Sequence, residues 1–218
     1  VYEPMQDVPI AVSAFSGDTI DALVMRDLRE LEGFVPNMVI DSVSVAPAGA
    51  AIYIRGVGTQ EVERSFDPAI GVVVDGVPLS FVNGSMANTF DFSSLEVLRG
   101  PQGTLFGRNA TSGVVNVVTA KPELGTFAAA AEFEYGNYKS IKTKGMINVP
   151  LGDTLAFRAA GFYLNRDGYT TNLYDGNDID GRDMYAVRGS LRFEPTASTT
   201  LDLMAFYFRE NDDRLRIQ

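Results

Sequence analysis

Residues 95–119 read LEVLRGPQGTLFGRNATSGVVNVVT, two short β-prone runs joined by a glycine-dense region that carries only two cations, Arg99 and Arg108. Val97 and Leu98 favour a strand, and Gly100, Pro101 and Gly103 break it and impose turns. The second run, residues 114–118, is almost wholly apolar and suits a strand buried on both faces. Between the runs, Gly107, Gly113 and the small residues Ala110, Thr111 and Ser112 let backbones approach closely. Two phosphate-binding readings fail. Gly103 to Arg108 lacks the Gly-Lys-Ser/Thr of a Walker loop, and Gly56-Val57-Gly58 has Glu61 where a dinucleotide fingerprint needs its third glycine.

Upstream of this stretch the chain alternates short β-prone runs with turn signals. Residues 10–15 suit a strand, and Ile20, Leu23, Val24, Leu28 and Leu31 then fall on one helical face, which Gly33 and Pro36 terminate. Residues 39–45, 51–55 and 71–75 read as further strands, the last ending in an Asp75-Gly76 tight turn. The sum is a small α+β domain with a mixed sheet, over residues 1–121.

Downstream, over residues 122–218, the pattern changes to long alternating strands. Phe127, Ala129, Ala131, Phe133 and Tyr135 share one face, and Ala128, Ala130, Glu132 and Glu134 share the other. Ile141, Thr143, Gly145, Ile147 and Val149 oppose Lys142, Lys144 and Asn148, and Tyr185, Val187, Gly189, Leu191 and Phe193 oppose Arg188, Ser190, Arg192 and Glu194 in the same way. Residues 155–165 and 201–209 alternate less cleanly but have suitable length, which makes roughly five segments of about 10 residues, the length of a tilted membrane-spanning strand. Turns at residues 150–153 and 195–198 are short, and the connection over residues 166–183 is long and polar, as in an outer-membrane barrel. Tyr135, Tyr138, Tyr163 and Tyr185 fall near strand ends, where aromatic girdles sit. A soluble β-sandwich also alternates, but strand length and the charged face favour a transmembrane barrel.

Composition narrows the function. The chain has 218 residues, 45 % hydrophobic and 11 % aromatic, enough for one or two folded domains. No segment approaches the roughly 18 consecutive apolar residues of a membrane helix. Cysteine and histidine are both absent, which removes disulfides, thiol chemistry, Cys/His zinc sites, histidine haem ligation and His-dependent triads. No acid pair is recognisable for a carboxylate hydrolase, so no catalytic residue and no enzyme activity are assigned. A formal charge of −10 disfavours nucleic acid. The loop at residues 175–181 misses two calcium ligand positions of an EF-hand, so no metal site is assigned, and no cofactor is expected.

The ordered set Asp7-Val8-Pro9-Ile10-Ala11-Val12, Ile54-Arg55-Gly56-Val57, Val74-Asp75-Gly76-Val77, the run from Leu95 to Gly107, and Asn116-Val117-Val118-Thr119 resembles the plug domain of TonB-dependent outer-membrane receptors. The resemblance covers the whole chain. It implies a plug domain over residues 1–121 followed by the first strands of a transmembrane β-barrel of about 22 strands, so that the chain is an incomplete, N-terminal fragment of a longer receptor in the bacterial outer membrane. It further implies active uptake of a scarce nutrient, above all a ferric siderophore, with the plug gating the barrel. The alternative is a ligand-binding or signalling receptor without transport of its own. Partners would be outer-membrane lipid, a small-molecule ligand such as a ferric chelate, and the TonB energy-coupling protein of the inner membrane. No clear TonB box precedes Asp7, so its contact segment is expected to lie outside this stretch.

The same resemblance implies that Arg55 and Arg99 face the barrel wall and pair with glutamates there, forming a plug–barrel lock to which Glu96 adds. An arginine inside a plugged lumen needs carboxylates, since an unpaired buried charge is costly. Glu132 and Glu134 are local candidates for that role. Ligand contacts are expected from residues 58–66 and 79–91, carrying Gln60, Glu61, Arg64, Phe81, Asn83 and Met86, whose mix of polar and aromatic groups suits a chelate.

Overall fold

A computed structural model of the chain describes residues 10–23, 25, 28–43, 46–58, 68–79, 90–107 and 109–211, with backbone alone for 42, 43 and 46–50. The chain divides into two compact units, Val1–Ala120 and Lys121–Gln218.

In the first unit, β1 (Ala11–Ser16) leads into α1 (Gly17–Ala22) and a 3-10 turn (Leu28–Gly33), followed by β2 (Met38–Val43), β3 (Ala46–Ile54) and β4 (Val57–Gly58). Then come β5 (Ile70–Val74), β6 (Val77–Leu79), β7 (Phe92–Arg99), α2 (Gly103–Phe106) and β8 (Gly113–Thr119). Strands β1-β7-β8-β5-β6 form one sheet and β2-β3-β4 another, and all pairings are antiparallel except β5 with β8. The sheet is therefore mixed.

The expected single helix over residues 18–33 is instead two short pieces. Ser16 caps α1 by accepting from the Thr19 amide. The helix ends at Leu23, and a wider turn closes it, with the Met25 amide donating to the Ile20 carbonyl at 3.2 Å. Ile20, Met25, Leu28 and Leu31 are all buried in one cluster with β2, β3, β5, β7 and β8. Of the expected stripe, Ile20, Leu28 and Leu31 are buried, Leu23 is exposed and Val24 lies outside the described residues; Met25, off the stripe, is buried in its place.

That cluster fills one face of the five-stranded sheet, and Val73, Leu98, Ala110 and Val114 fill part of the other. Strand β8 contributes Val115 and Val117 to the first and Val114 to the second, so its apolar run is buried on both sides. Gly113 opens it where a Cβ would lie 2.6 Å from the Leu98 carbonyl oxygen and 2.7 Å from Ile54 Cδ1. Only glycine allows that approach.

The second unit is an antiparallel meander of β9 (Ala128–Gly136), β10 (Ser140–Pro150), β11 (Leu155–Arg166), β14 (Arg182–Thr196) and β15 (Thr199–Glu210), in which each strand pairs with the next named. The long connection between β11 and β14 is not all loop, because β12 (Thr170–Thr171) pairs with β13 (Asp178–Ile179) as a small hairpin. Strand β14 also runs through Pro195 to Thr196, into the expected turn over residues 195–198, with a register irregularity after Phe193.

Register lines the side chains up in rows across the sheet. One face carries Phe133, Thr143, Tyr163 and Tyr185 in a row, then Ala131, Gly145, Gly161, Val187 and Tyr207, then Ala129, Ile147, Ala159, Gly189 and Ala205, then Val149, Phe157, Leu191 and Leu203. The other carries Glu132, Glu134, Lys142, Lys144, Asn148, Arg158, Arg188, Ser190, Arg192 and Asp202. The exposures run opposite to those of a soluble protein. Phe133, Tyr135, Val187, Leu203 and Tyr207 stand more than half exposed, whereas Lys142, Asn148, Arg158, Arg188 and Ser190 are buried. A sandwich would bury the greasy face. One face of this sheet is apolar and exposed apart from Arg209 at its end, and the other gathers the buried charges among Phe162, Met184, Met204 and Phe206, the alternation of a membrane barrel wall.

Candidate functional site

Arg55 and Arg99 come to one corner of the first unit. Arg55, with φ 54°, and Gly56, with φ 78°, form the two-residue turn between β3 and β4, whose paired positive φ values are those of a type I′ hairpin. The residue before it, Ile54, accepts a hydrogen bond through its carbonyl from Ser112 Oγ at 3.2 Å. Arg99 ends β7 opposite Gly113, and the Gly100 amide donates to the Ser112 carbonyl at 2.9 Å. Both arginines thus flank the Ser112–Gly113 junction. Arg55 is exposed, and Arg99 is half-buried with its Nε shielded and without a hydrogen-bond partner among the described residues.

Glu96 stands three residues from Arg99 and so projects from the opposite face of β7. There Asn116 Nδ2 donates to its Oε2 at 3.0 Å. Glu132 and Glu134 face Lys144 and Lys142 across the β9–β10 pair, at 3.4 and 3.8 Å. Gln60, Glu61, Arg64, Phe81, Asn83 and Met86 all lie outside the described residues.

Sequence reading missed two side-chain clasps. The Asp75 carboxylate accepts from the Thr119 amide at 3.0 Å and from Thr119 Oγ1 at 2.7 Å, sealing the far end of β8 to the β5–β6 turn. Asn148, fully buried on β10, accepts from the Glu123 amide at 3.0 Å and donates through Nδ2 to the carbonyls of Glu123 at 2.9 Å and Thr126 at 2.7 Å. The only hint of the second was one uncharged polar residue on a lysine-bearing face.

The β12–β13 hairpin is braced at its base. Arg166 donates to the Asp180 carbonyl at 2.7 Å and lies 4.8 Å from the centre of the Tyr169 ring, and that ring packs on Tyr138. Lys139 pairs with Asp167 at 2.8 Å. The hydrogen bond to Asp180 pushes the Tyr169 hydroxyl above its ordinary pKa, and Asp167 does the same for the Lys139 ammonium. At the tip, Asn172 and Asp175 side chains accept from the backbone two residues on, and Leu173 and Tyr174 stand 98 % and 97 % exposed.

An α+β unit of this build preceding an apolar-outside strand meander defines a plugged outer-membrane receptor. The model of the TonB-dependent Receptor Plug Domain matches residues 4–114, and the chain belongs to that family. The family is one of receptors rather than enzymes, and the chain is an outer-membrane protein. Among its relatives, the pesticin receptor of Yersinia pestis is 34 % identical over 130 residues, covering 59 % of this chain and 19 % of that protein. The ferrioxamine B receptor of Salmonella typhimurium strain LT2 is 24 % identical over 215 residues, covering 95 % of this chain and 28 % of the relative.

Among solved structures, the ferric yersiniabactin uptake receptor FyuA from Yersinia pestis superposes with a TM-score of 0.73 at 25 % identity, covering 90 % of this chain and 31 % of that one. The siderophore receptor PiuA from Acinetobacter baumannii shares the fold, with a TM-score of 0.76 at 19 % identity over 95 % of this chain and 27 % of its own. The chain spans between about a fifth and a third of the length of these relatives.

Proposed function

We propose that the chain supplies the plug and the first wall strands of a TonB-dependent receptor that imports a ferric siderophore across the outer membrane. The observation that carries the reading is the union of a family plug domain with a sheet whose charged face is buried and whose aromatic face is exposed. The relatives named for ferrioxamine B and ferric yersiniabactin support an iron chelate as the ligand class. In this reading the remaining strands belong to a barrel of about 22, the first unit gates it, and an inner-membrane TonB partner supplies the energy. Arg55 and Arg99 act as the lock, engaging carboxylates of the wall, and Glu96 sets the charge of the adjoining face. Residues 58–66 and 79–91 contact the chelate.

The test is uptake of radiolabelled iron by cells that carry the full-length receptor as their sole route, offered as ferric yersiniabactin, as ferrioxamine B and as a ferric catecholate. Accumulation of one chelate that stops when TonB is removed is the expected outcome. Binding without accumulation for every chelate would overturn transport and leave a receptor that only senses its ligand.

A further inference from the structure

We propose that Asn148 is the anchor of the tether that leads from the first unit into β9, a positioning residue that confines any displacement of the first unit to the chain upstream of Glu123. The functional part of this inference rests on the gating reading above; the anchor itself rests on geometry alone.

Between Ala120 and Ala128 the chain runs as Lys121-Pro122-Glu123-Leu124-Gly125-Thr126-Phe127 without a strand or helix of its own. Glu123, Gly125 and Thr126 are exposed, and Gly125 turns the backbone at φ 71°. Exposed backbone of this kind ordinarily bonds to water. Here three of its polar groups are instead held by one fully buried amide whose Oδ1 and both Nδ2 protons are used. Pro122 beside it is also fully buried.

The position of the amide matters as much as its bonds. Asn148 is the register partner of Ala128, the first residue of β9. A pull arriving along the chain at Ala128 would load the β9–β10 ladder at its end rung and open it one bond at a time. Asn148 takes that load before the first rung and shares it over three hydrogen bonds. It passes the load to β10, which is paired on both sides, by β9 and by β11. Chain movement is thereby confined to residues ahead of the anchor, and the wall is not peeled when the first unit moves.

The experiment uses the full-length receptor as wild type, Asn148→Ala and Asn148→Asp, in outer-membrane vesicles for exchange, cleavage and chelate binding, and in TonB-bearing cells that have it as their sole route for uptake. The aspartate keeps an acceptor for the Glu123 amide, loses both donors and stands opposite Arg158 in register. Hydrogen exchange of the Glu123 amide and cleavage after Glu123 by a glutamyl endopeptidase are read alongside binding and uptake of ferric yersiniabactin, ferrioxamine B and a ferric catecholate. In the wild type the Glu123 amide is expected to exchange at least about tenfold more slowly than in a free peptide, with the segment uncut. Asn148→Ala should abolish both protections, and Asn148→Asp should keep slow exchange while admitting the protease. Chelate binding should persist in both variants while uptake falls.

Free-peptide exchange at Glu123 in the wild type, or exchange and cleavage unchanged in Asn148→Ala, would overturn the anchor. Parallel loss of binding and uptake would overturn its positioning role. A wild type that accumulates none of ferric yersiniabactin, ferrioxamine B and a ferric catecholate would sink the transport reading, with the exchange and cleavage results still deciding the anchor.

Discussion

Asp75 meets two demands that seldom fall on one residue. Its φ of 50° places it in the left-handed region, tolerated by aspartate and asparagine at modest cost, and its carboxylate holds both the amide and the hydroxyl of the buried Thr119. Asp75→Ala is expected to destabilise the first unit by about 1–3 kcal/mol, since Thr119 then keeps buried polar groups without this acceptor. Asp75→Asn should cost less, keeping the turn and one acceptor oxygen; chemical denaturation of the assembled receptor compares the two. Under the proposed lock, Arg99→Ala should loosen the hold on the first unit, and Arg99→Lys should not restore it, because a lysine lacks the planar fork that engages a carboxylate bidentately. Faster hydrogen exchange along β7 in both variants is the expected reading. The Asp75-Gly76 turn was legible from two letters of sequence. Its clasp was not, because the partner lies 44 residues away and only folding brings it near.

Among the elements, the strands were legible and the helices were not, for one reason. Alternation in sequence along β9, β10 and β14 is imposed by environments that differ between the two faces of the sheet, so period two persists over 9 to 15 residues, whereas in β15 apolar residues occupy both faces. The helical spacing of residues 20–31 reflects one buried cluster only at Ile20, Leu28 and Leu31, which two short pieces satisfy as well as one long one. The ligand loops gave no pattern to test, and their six named residues lie outside the described structure.

The β12–β13 hairpin was hidden because its rungs, Thr170–Ile179 and Thr171–Asp178, are too few to alternate visibly. Its braces predict a response to alkali. Tyr169 and Lys139 both have folded-state pKa values raised above their ordinary ones, so each contributes fully below its unfolded value, near 10 for both. Both contributions are lost as pH rises through the folded values. Limited proteolysis within residues 167–181 should therefore stay slow at pH 8 and accelerate above about pH 10. Tyr169→Phe should shift part of that dependence away, and a flat profile in the wild type would remove these contacts as the brace.

For the molecule as a whole, the decisive property is that the second unit buries charge and exposes rings. Membrane immersion predicts a depth-dependent penalty on its apolar face. Val187→Arg, in a middle row of the sheet, should lower stability by about 2–4 kcal/mol, whereas Phe193→Arg, near the short-turn rim, should lower it by only about 1 kcal/mol or less. Equilibrium folding of the full receptor into lipid vesicles from urea measures both, and equal penalties would argue against a bilayer crossing at this depth.

The rows of that face also give it a profile. Across β9, β10 and β11, Ala131, Gly145 and Gly161 in one row and Ala129 and Ala159 beside Ile147 in the next form a shallow waist, flanked by Val187 and Tyr207 on β14 and β15, between Phe133 and Tyr163 at one rim and Phe157 at the other. The rings stand about 20 Å apart along β11, from Tyr163 to Phe157 at roughly 3.3 Å per residue. A surface of this outline is a spool, with hydrocarbon chains wound into the hollow and the rings as flanges. Sliding it a few ångströms along the membrane normal would drive tyrosine hydroxyls into the oil at one end and phenyl rings into water at the other. Its height in the bilayer is therefore set by contour, and a thinner or thicker membrane must bend to meet it.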